Sequence, residues 1–245
     1  WMLAMPLLAL VHLAGLPYGE FGQMQIADLT LTTLRVDRLS FLFGLAFLIA
    51  AFLGTVYALH HDDTAQHVAG LVYAGSAVGA VFAGDLATLF AFWEAATFSS
   101  VVLIWASRNE RAWRAGMRYL VMQGASGLLL LAGILVHYRA TGSLAFGHLG
   151  VDTLAGQVIL VAFGIKCAFP LLHNWLQDAY PEATVSGAVL LSAFTTKMAV
   201  YALARGYAGT ELLVPVGLTV AVFPIFYAVI ENDLRRVLAY SINNQ

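Results

Sequence analysis

The sequence predicts an all-α integral membrane protein, and three observations support this fold class. The chain of 245 residues is 60% hydrophobic and only 11% charged, whereas soluble domains carry about 25% charged residues. Apolar stretches close to the length of a membrane-crossing helix alternate with short polar stretches. These stretches are continuously apolar, unlike the alternating strands of a spanning β-barrel. The single cysteine, Cys167, excludes an internal disulfide or a four-cysteine metal site within this chain.

We predict about eight transmembrane helices in one integral membrane domain, residues 1–245. Their approximate bounds are Trp1–Pro17, Leu39–Leu59, His67–Gly84, Leu86–Ala106, Ala115–Tyr138, Gly156–Leu176, Thr184–Ala204 and Leu212–Ile230. Only Asp85 separates the third stretch from the fourth. The first stretch is short, and the last residues, "LRRVLAYSINNQ", resemble a helix that is just starting. We therefore expect the chain to be part of a longer protein.

One segment outside the predicted helices has a β pattern. Residues Ile26–Asp37, "IADLTLTTLRVD", partly alternate between apolar and polar side chains and are rich in threonine. This pattern predicts a short strand or hairpin outside the membrane.

The arginines give a weak indication of orientation. The densest cluster, in "SRNERAWR", follows the fourth predicted helix. Because cytoplasmic loops carry an excess of lysine and arginine, this cluster favours a cytoplasmic position for the loops after even-numbered helices.

Three ionisable side chains lie where a charge is unfavourable. The only two lysines, Lys166 and Lys197, fall near the centres of predicted helices, and Glu94 is the only acidic residue well inside one. A charge at the bilayer centre costs about 3 kcal/mol on insertion scales, so three cost roughly 9 kcal/mol. A typical protein has a folding stability of about 5–15 kcal/mol in total. We therefore predict that these charges pair inside the bundle or line a hydrated path.

Simpler interpretations of these charges are open at this point. A lysine near a helix end can extend its ammonium to the membrane interface. Lys166 lies about 12 Å from either end of its apolar stretch, at 1.5 Å per residue, which is beyond the reach of its stem. Lys197 is nearer to an end, and Glu94 would be interfacial if its helix began later. The charges could also serve only to fix helix packing in a structural membrane subunit.

Pro170 lies four residues after Lys166 and predicts a broken helix at Lys166–Pro170. A proline has no backbone N–H, so the carbonyl of Lys166 would lose its helical partner. Irregular backbone in a membrane is tolerated where it lines a protein-buried or hydrated cavity. The sequence therefore predicts a titratable amine at a hydrated helix break. His173, about two turns further on, is a candidate for onward proton transfer, although a lone histidine near a helix end is more often structural.

Four motifs resemble the antiporter-like membrane subunits. They are "LFAFWE" (89–94), "GIKCAFPLLHNWLQDAYPEA" (164–183), "SAFTTKMAVYAL" (192–203) and "NDLRRVLAYS" (232–241). This family includes the proton-pumping subunits of respiratory complex I and of membrane-bound hydrogenases, and the large subunits of Mrp-type sodium/proton antiporters. The chain looks most like the D subunit of the Mrp type, with residues 39–245 forming an antiporter-like proton-translocation repeat.

The resemblance implies a fold of about fourteen helices with two inverted half-channel repeats, each with a broken helix that bears a lysine. This chain would be the first half of that inverted-repeat transporter fold. By motif, Glu94 corresponds to the membrane glutamate that pairs with the broken-helix lysine, Lys166. Lys197 corresponds to the lysine that continues the proton relay.

The function that the resemblance implies is secondary ion translocation, without bond chemistry on a substrate. The chain would be a proton half-channel of a multisubunit sodium/proton antiporter, in which opening of a Glu94–Lys166 pair lets Lys166 release its proton towards Lys197. The alternative is a proton-pumping membrane subunit of a complex I-type NADH:quinone oxidoreductase or of a membrane-bound hydrogenase. In that case the chain would belong to an enzyme but have no redox site of its own. A structural membrane subunit is a further alternative.

The expected partners follow from these alternatives. They are the other membrane subunits of a multisubunit complex, protons and sodium ions, and the lipid bilayer of the cell inner (plasma) membrane. The net charge of −2 gives no indication of a nucleic-acid partner. We expect no cofactor and no metal, because the sequence has no motif for a flavin, haem, iron–sulfur cluster or nucleotide.

Overall fold

The computed structural model describes residues 1–26 and 29–245, and most of these residues are helical. Its elements, in chain order, are α1 (Ala4–Gly15), β1 (Gly19–Ile26), β2 (Leu29–Val36), α2 (Arg38–Ala58), α3 (Thr64–Phe82), α4 (Leu86–Trp105), α5 (Glu110–Thr141), α6 (Leu154–Lys166), α7 (Asn174–Ala179), α8 (Val185–Gly206), α9 (Leu213–Ile230) and α10 (Leu234–Asn244). Within this described part, six helices are long and apolar enough to cross a membrane, namely α2 to α5, α8 and α9. The predicted total of about eight transmembrane helices stays a prediction.

Each predicted apolar stretch contains a helix, but two stretches differ from their predicted bounds. α5 begins at Glu110 rather than at Ala115 and has 32 residues. Its length of about 48 Å, at 1.5 Å per residue, exceeds the roughly 30 Å hydrocarbon core. The sixth predicted stretch contains two helices, α6 and α7, with the non-helical residues 167–173 between them.

Side-chain caps determine where most of the described helices begin. Seven residues accept a hydrogen bond from a backbone N–H of the first helical turn, which is the role of an N-cap. They are Asp37, Asp63, Asp85, Asn109, Thr153, Thr184 and Asp233. Asp85 accepts the Thr88 N–H at 2.7 Å and the Thr88 hydroxyl at 2.8 Å. This cap explains how α4 begins so soon after α3 has ended.

Strands β1 and β2 form an antiparallel hairpin. The strand or hairpin predicted at Ile26–Asp37 corresponds to β2, whereas most of β1 lies before that segment. Ala27 and Asp28, which the prediction also covered, lie outside the described residues. β1 was missed because its sequence, "GEFGQMQI", contains glycine and long polar residues that are poor strand formers.

The connecting segments form two groups at opposite ends of the helices. The hairpin end contains the hairpin and residues 83–85, 142–153 and 207–212, and the arginine end contains residues 59–63, 106–109, 180–184 and 231–233. Contacts join segments of the same group. At the hairpin end the Phe146 N–H donates to the Gly84 carbonyl at 3.0 Å. At the arginine end Arg108 pairs with Asp63 at 2.8 Å. The chain therefore passes back and forth between the two ends, with α6 and α7 together forming one passage.

Aromatic rings pack the centre of the bundle. Phe194 of α8 packs edge-on against Phe47 of α2 and Tyr73 of α3, with centroid distances of 5.3 and 5.4 Å. Trp93 of α4 lies 5.1 Å from Phe163 of α6. α8 is therefore central, whereas α9 is almost wholly exposed and lies at the periphery of the described bundle.

Asp37 joins the hairpin to α2 and α8. Its carboxylate accepts the Ser40 N–H at 2.9 Å, pairs with Arg205 Nη1 at 2.8 Å and lies 3.6 Å from Arg35 Nε. Partial burial raises the pKa of this carboxyl, but the hydrogen bonds from Arg205 and Ser40 and the charges of both arginines outweigh burial and lower the pKa to about 2.

We expect Asp37→Ala to destabilise the full-length protein by about 1–2 kcal/mol, because an N-cap and a partly exposed ion pair are lost together. Asp37→Asn keeps an N-cap acceptor and should cost less. Since the folded-state pKa lies below the ordinary value, the contribution of the charge is present above about pH 4 and disappears as the pH falls towards 2. Thermal midpoints of the purified protein would measure these effects.

Asp233→Ala, which removes the cap of α10, is the matched control for loss of a cap alone. The thermal midpoints of the wild type and Asp37→Asn should differ less at strongly acidic pH than at neutral pH. An equal difference at both would mean that the arginine contacts do not stabilise the charged carboxylate.

Candidate functional site

α6 ends at Lys166 in a Schellman motif. The Phe169 N–H donates to the Gly164 carbonyl at 2.9 Å and the Ala168 N–H donates to the Ile165 carbonyl at 3.2 Å, which is the bonding pattern of that motif. Ala168 has a φ of 59°, a left-handed conformation that costs a residue with a Cβ roughly 1–2 kcal/mol. A Cβ at Gly164 would lie 2.6 Å from the Phe169 ring, so glycine is needed where this ring folds back.

Pro170 forms the corner of the turn that follows. The Leu172 N–H donates to the Phe169 carbonyl at 2.9 Å. Leu171 has a φ of 70°, and proline followed by a positive φ is the arrangement of a type II turn. The helical hydrogen bonding therefore stops before Pro170 is reached. The proline shapes the second of two consecutive turns, and the Schellman motif ends α6.

Lys166 is buried, with 1% of its surface exposed, and α4 holds its ammonium group. Nζ donates to Thr97 Oγ1 at 3.0 Å and to the Trp93 carbonyl at 3.3 Å. It also lies 4.5 Å from the centroid of the Trp93 ring, within the range of a cation–π interaction. An ammonium has three N–H donors, and it faces a hydroxyl, a carbonyl and a ring here. We call Trp93 and Thr97 the α4 cradle.

Hydrogen bonds from neighbouring helices fix the α4 cradle. The Trp93 indole N–H donates to Ser126 Oγ of α5 at 3.2 Å, and Ser126 Oγ donates to the Ala162 carbonyl of α6 at 2.8 Å. The Thr97 hydroxyl donates to the Trp93 carbonyl at 3.0 Å. Because the hydroxyl proton is used within α4, its oxygen is available as an acceptor for Lys166.

The Glu94 side chain leaves α4 on a different side from the α4 cradle. Its carboxylate lies against Gly127 of α5. A Cβ at Gly127 would overlap the Glu94 carboxylate, so the missing side chain makes room for the acid. Glu94 is half-buried overall. Its Oε1 is buried and accepts no hydrogen bond from any other residue of the described ranges.

Glu94 and Lys166 are not in direct contact in this structure. Six ion pairs occur among the described residues, and each of them uses an arginine. Lys166 instead contacts the residues one before and three after Glu94. The structure therefore brings both charged groups to the same turn of α4 without forming the predicted pair.

Lys197 lies on α8 and lines a cavity of about 460 Å³. Cys167, Phe169, Thr196 and Asn243 also line it, together with residues of α2 and α9. Because Cys167 directly follows Lys166, the end of α6 lies between the α4 cradle and this cavity. The two lysines are thus near the same helix end but contact different surroundings.

His173 lies at the start of α7 and packs on α9. Its ring centroid is 4.6 Å from that of Phe223, and it makes no capping hydrogen bond. Nδ1 is buried and has no hydrogen-bond partner among residues 1–26 and 29–245. Its part in proton transfer stays a prediction.

A row of buried polar groups continues from the α4 cradle towards the arginine end. Ser100 Oγ donates to the Thr97 carbonyl at 2.9 Å and forms a hydrogen bond with Tyr119 Oη at 2.7 Å. One turn along α5 from Tyr119, back towards the hairpin end, Gln123 is fully buried, and its amide has no partner in the described part of the chain. We call Thr97, Ser100, Tyr119 and Gln123 the polar row.

The charged side chains are predictable from the sequence, whereas the groups that hold them were missed. One face of α4 carries polar or hydrogen-bonding side chains at spacings of four and three residues, namely Trp93, Thr97 and Ser100. This spacing of hydrogen-bonding side chains within an apolar helix is the sequence pattern from which the cradle could have been predicted. Gly127 carries no such signal, because small residues in membrane helices commonly serve packing alone.

Residues 83–245 match the family model described as NADH:quinone oxidoreductase/Mrp antiporter, TM. The chain belongs to this family. The matched range covers α4 to α10, and therefore includes the α4 cradle, the end of α6 and the cavity at Lys197. The protein is thus a multi-span membrane subunit of the antiporter and complex I type.

Relatives of two kinds show similar degrees of identity. The chain is 31% identical over 195 residues to the M subunit of the NADH-quinone oxidoreductase of Escherichia coli. It is 29% identical over 187 residues to the D subunit of the Na⁺/H⁺ antiporter of Alkalihalophilus pseudofirmus. Each alignment covers 68% of this chain but only 38% of the relative. The chain therefore spans much less than the full length of these curated relatives.

A solved structure has the same fold. A chain of respiratory complex I from Thermus thermophilus superposes with a TM-score of 0.85 at 24% sequence identity. The superposition covers 99% of this chain and 55% of that chain. This chain therefore shares its arrangement of helices with that chain.

We expect Gly127→Ala to displace the Glu94 carboxylate, because the added methyl group would occupy its position. A glutamate side chain is flexible, so the abundance of the assembled full-length protein should change little. For a subunit that moves protons, flux in vesicles should fall about fivefold, the effect of roughly 1 kcal/mol. Gly124→Ala is the matched control, since a Cβ at Gly124 meets no atom within 4 Å. Equal flux for the two variants would contradict a role for the space at Gly127.

Proposed function

We propose that this chain is the first half-channel of an antiporter-like subunit and moves protons through Glu94, Lys166 and Lys197. The observation that carries this proposal is the burial of Lys166 at the end of α6, where the backbone leaves the helix inside the bundle. A lysine that served only packing would be expected to pair with a carboxylate, because an uncompensated buried charge is costly. Its acceptors here are neutral, so loss of its proton would leave no carboxylate stranded at this contact.

The proposal treats α6 and α7 as one interrupted membrane-spanning element. Two consecutive turns separate them, and the side chain of Trp175 supports the break. Its indole N–H donates to the Ile165 carbonyl at 2.9 Å, so α7 satisfies a carbonyl at the end of α6. Such compensation is what irregular backbone inside a membrane requires. Residues 1–245 would then form a single membrane domain containing the first of two repeats.

The polar row supplies a route for protons from the arginine end to Lys166. Buried polar groups are normally hydrogen-bonded, and those without a protein partner are usually satisfied by water. The Gln123 amide is such a group. We propose that water ordered along Ser100, Tyr119 and Gln123 conducts protons from the arginine end to the α4 cradle.

After Lys166, the proposed relay continues in the cavity at Lys197. When a Glu94–Lys166 pair opens, Lys166 would release its proton past Cys167 towards Lys197. The polar groups of Thr196 and Asn243 also line this cavity, so it can hold water beside the lysine. His173 lies outside its lining and would act only in a later step.

The source of energy is the point at which the two candidate functions differ. One relative is named as a subunit of a Na⁺/H⁺ antiporter and the other as a subunit of an NADH-quinone oxidoreductase. The assignment proposed from the sequence motifs is the antiporter, with other membrane subunits as partners in an inner membrane. Its test is a sodium gradient imposed on vesicles that contain the assembled complex. Proton flux driven by sodium would support the antiporter, and flux driven only by NADH oxidation would support the redox-driven complex.

We expect Lys166→Met and Glu94→Gln each to reduce proton flux by about a hundredfold or more, the usual contribution of a proton-transfer group. Subunit abundance in the assembled complex should stay near that of the wild type, because the hydrated site can solvate the group left behind. Flux would be measured in inverted vesicles and normalised to assembled complex. Arg139→Met, at the exposed end of α5, is the control for removing a charge away from the site.

The double variant Lys166→Met/Glu94→Gln separates a relay from a structural pair. Removing one member of a buried structural pair costs about 3–5 kcal/mol and should lower assembly, and replacing both should restore it. A relay instead stays inactive in the double variant while assembly is unaffected throughout. Near-normal flux in Lys166→Met would overturn the proposed function.

A further inference from the structure

We infer that Thr97 is a positioning residue, which together with Trp93 holds the Lys166 ammonium when this lysine is not paired with Glu94. The inference rests on the proposed function and extends it to a second position for the lysine. The α4 cradle is a built site, since Trp93, Thr97 and Lys166 are all buried, at 0%, 0% and 1% exposure.

The contacts of the cradle are complementary to an ammonium. Lys166 Nζ donates to Thr97 Oγ1 at 3.0 Å and to the Trp93 carbonyl at 3.3 Å, and it lies 4.5 Å from the Trp93 ring centroid. The direction of the hydrogen bonds is set by Thr97, whose hydroxyl proton goes to the Trp93 carbonyl. Its oxygen is therefore an acceptor that favours the protonated form of the lysine.

The cradle and Glu94 compete for the same side chain. Trp93, Glu94 and Thr97 lie within one turn of α4, and the Glu94 carboxylate lies against Gly127 rather than against Lys166. A flexible lysine stem can exchange between two acceptors that are this close while the helices stay in place. The two positions differ in kind, because one partner is an anion and the other is neutral.

The other titratable groups near this lysine lie on α4, on α5 and beyond the end of α6. On α5, Tyr119 reaches the cradle through Ser100. Glu94 is the charged group on the α4 side. Cys167 and Lys197 lie on the cavity side, and His173 is further along, against Phe223. An effect of the cradle on the pH profile must therefore appear when Thr97 alone is substituted and these five groups are left unchanged.

A purely structural role for Thr97 is the competing explanation. Buried threonines often donate to a carbonyl of their own helix. Thr55 does so on α2, where its hydroxyl donates to the Ala51 carbonyl at 2.7 Å. Thr55 is 7% exposed and does not contact Lys166, so Thr55→Val is the matched control for the loss of a buried hydroxyl.

The experiment compares Thr97→Val, Thr97→Ser and Thr55→Val in the full-length assembled complex. Proton flux in inverted vesicles is recorded as a function of pH and normalised to assembled protein. We expect Thr97→Val to lose about tenfold in flux, since it removes a hydrogen bond from a charged donor. Its pH profile should move towards lower pH by about one unit, because the protonated lysine has lost an acceptor. Thr97→Ser keeps the hydroxyl and should retain the wild-type profile, as should Thr55→Val.

Each other outcome contradicts the inference. An unchanged profile in Thr97→Val, with or without lower flux, would mean that the hydroxyl does not act through the lysine. A profile that shifts equally in Thr55→Val would assign the effect to general packing. If Thr97→Val does not assemble, Thr97→Ala provides the same loss of the acceptor with a smaller side chain, and a wild-type profile there would overturn the inference.

Failure of the inference can be distinguished from failure of the proposed function. If Lys166→Met abolishes flux but Thr97→Val behaves as the wild type, the proposed relay is supported and the inferred role of Thr97 is contradicted. If Lys166→Met retains flux, the relay itself is wrong, whatever Thr97→Val shows.

Discussion

The need to hold one ammonium group inside an apolar bundle is the constraint on which the functional part of this fold depends. Lys166 is the last residue of α6, and its Nζ is held by α4. To hold it there, α4 must present a hydroxyl and a ring, and α5 and α6 must fix that ring through Ser126. Three helices are thus arranged around a single charged atom. The arrangement uses neutral acceptors, which suits a group that exchanges protons better than a fixed ion pair would.

The ends of the helices are set by a different kind of interaction. Asp, Asn and Thr caps begin seven of the described helices, and arginine–carboxylate pairs connect the segments at each end. Most of the arginine–carboxylate pairs are exposed to water or headgroups, so they add little energy individually. The effect of the caps and pairs is to fix where each helix starts, and hence at which depth Glu94, Lys166 and Lys197 lie. The Asp37 contacts with Arg205 and Ser40 illustrate this, because they join the start of α2 to the end of α8.

The helices and the charged residues follow from the sequence because they depend on local composition. An apolar stretch predicts a helix, and a lysine in its centre is visible without any knowledge of its neighbours. The sequence predicted a break at Lys166–Pro170 from the proline alone, whereas Pro170 shapes only the second turn and the Schellman motif that ends α6 depends on Ala168 in an unusual conformation. The α4 cradle could not be placed in this way, because contact between Thr97 and Lys166 depends on how α4 packs against α6. Long-range packing of this kind is not encoded in the periodicity of either helix.

The contact between Glu94 and Gly127 has a consequence for how these two positions can change together over time. A larger residue at position 127 leaves a glutamate at position 94 no room for its carboxylate in the present place, because both side chains would fill one space. A lineage that keeps the acid in this place should therefore keep the glycine, and one that loses the acid is free to replace it. The two positions should accordingly vary as a pair, although 33 residues separate them in the chain.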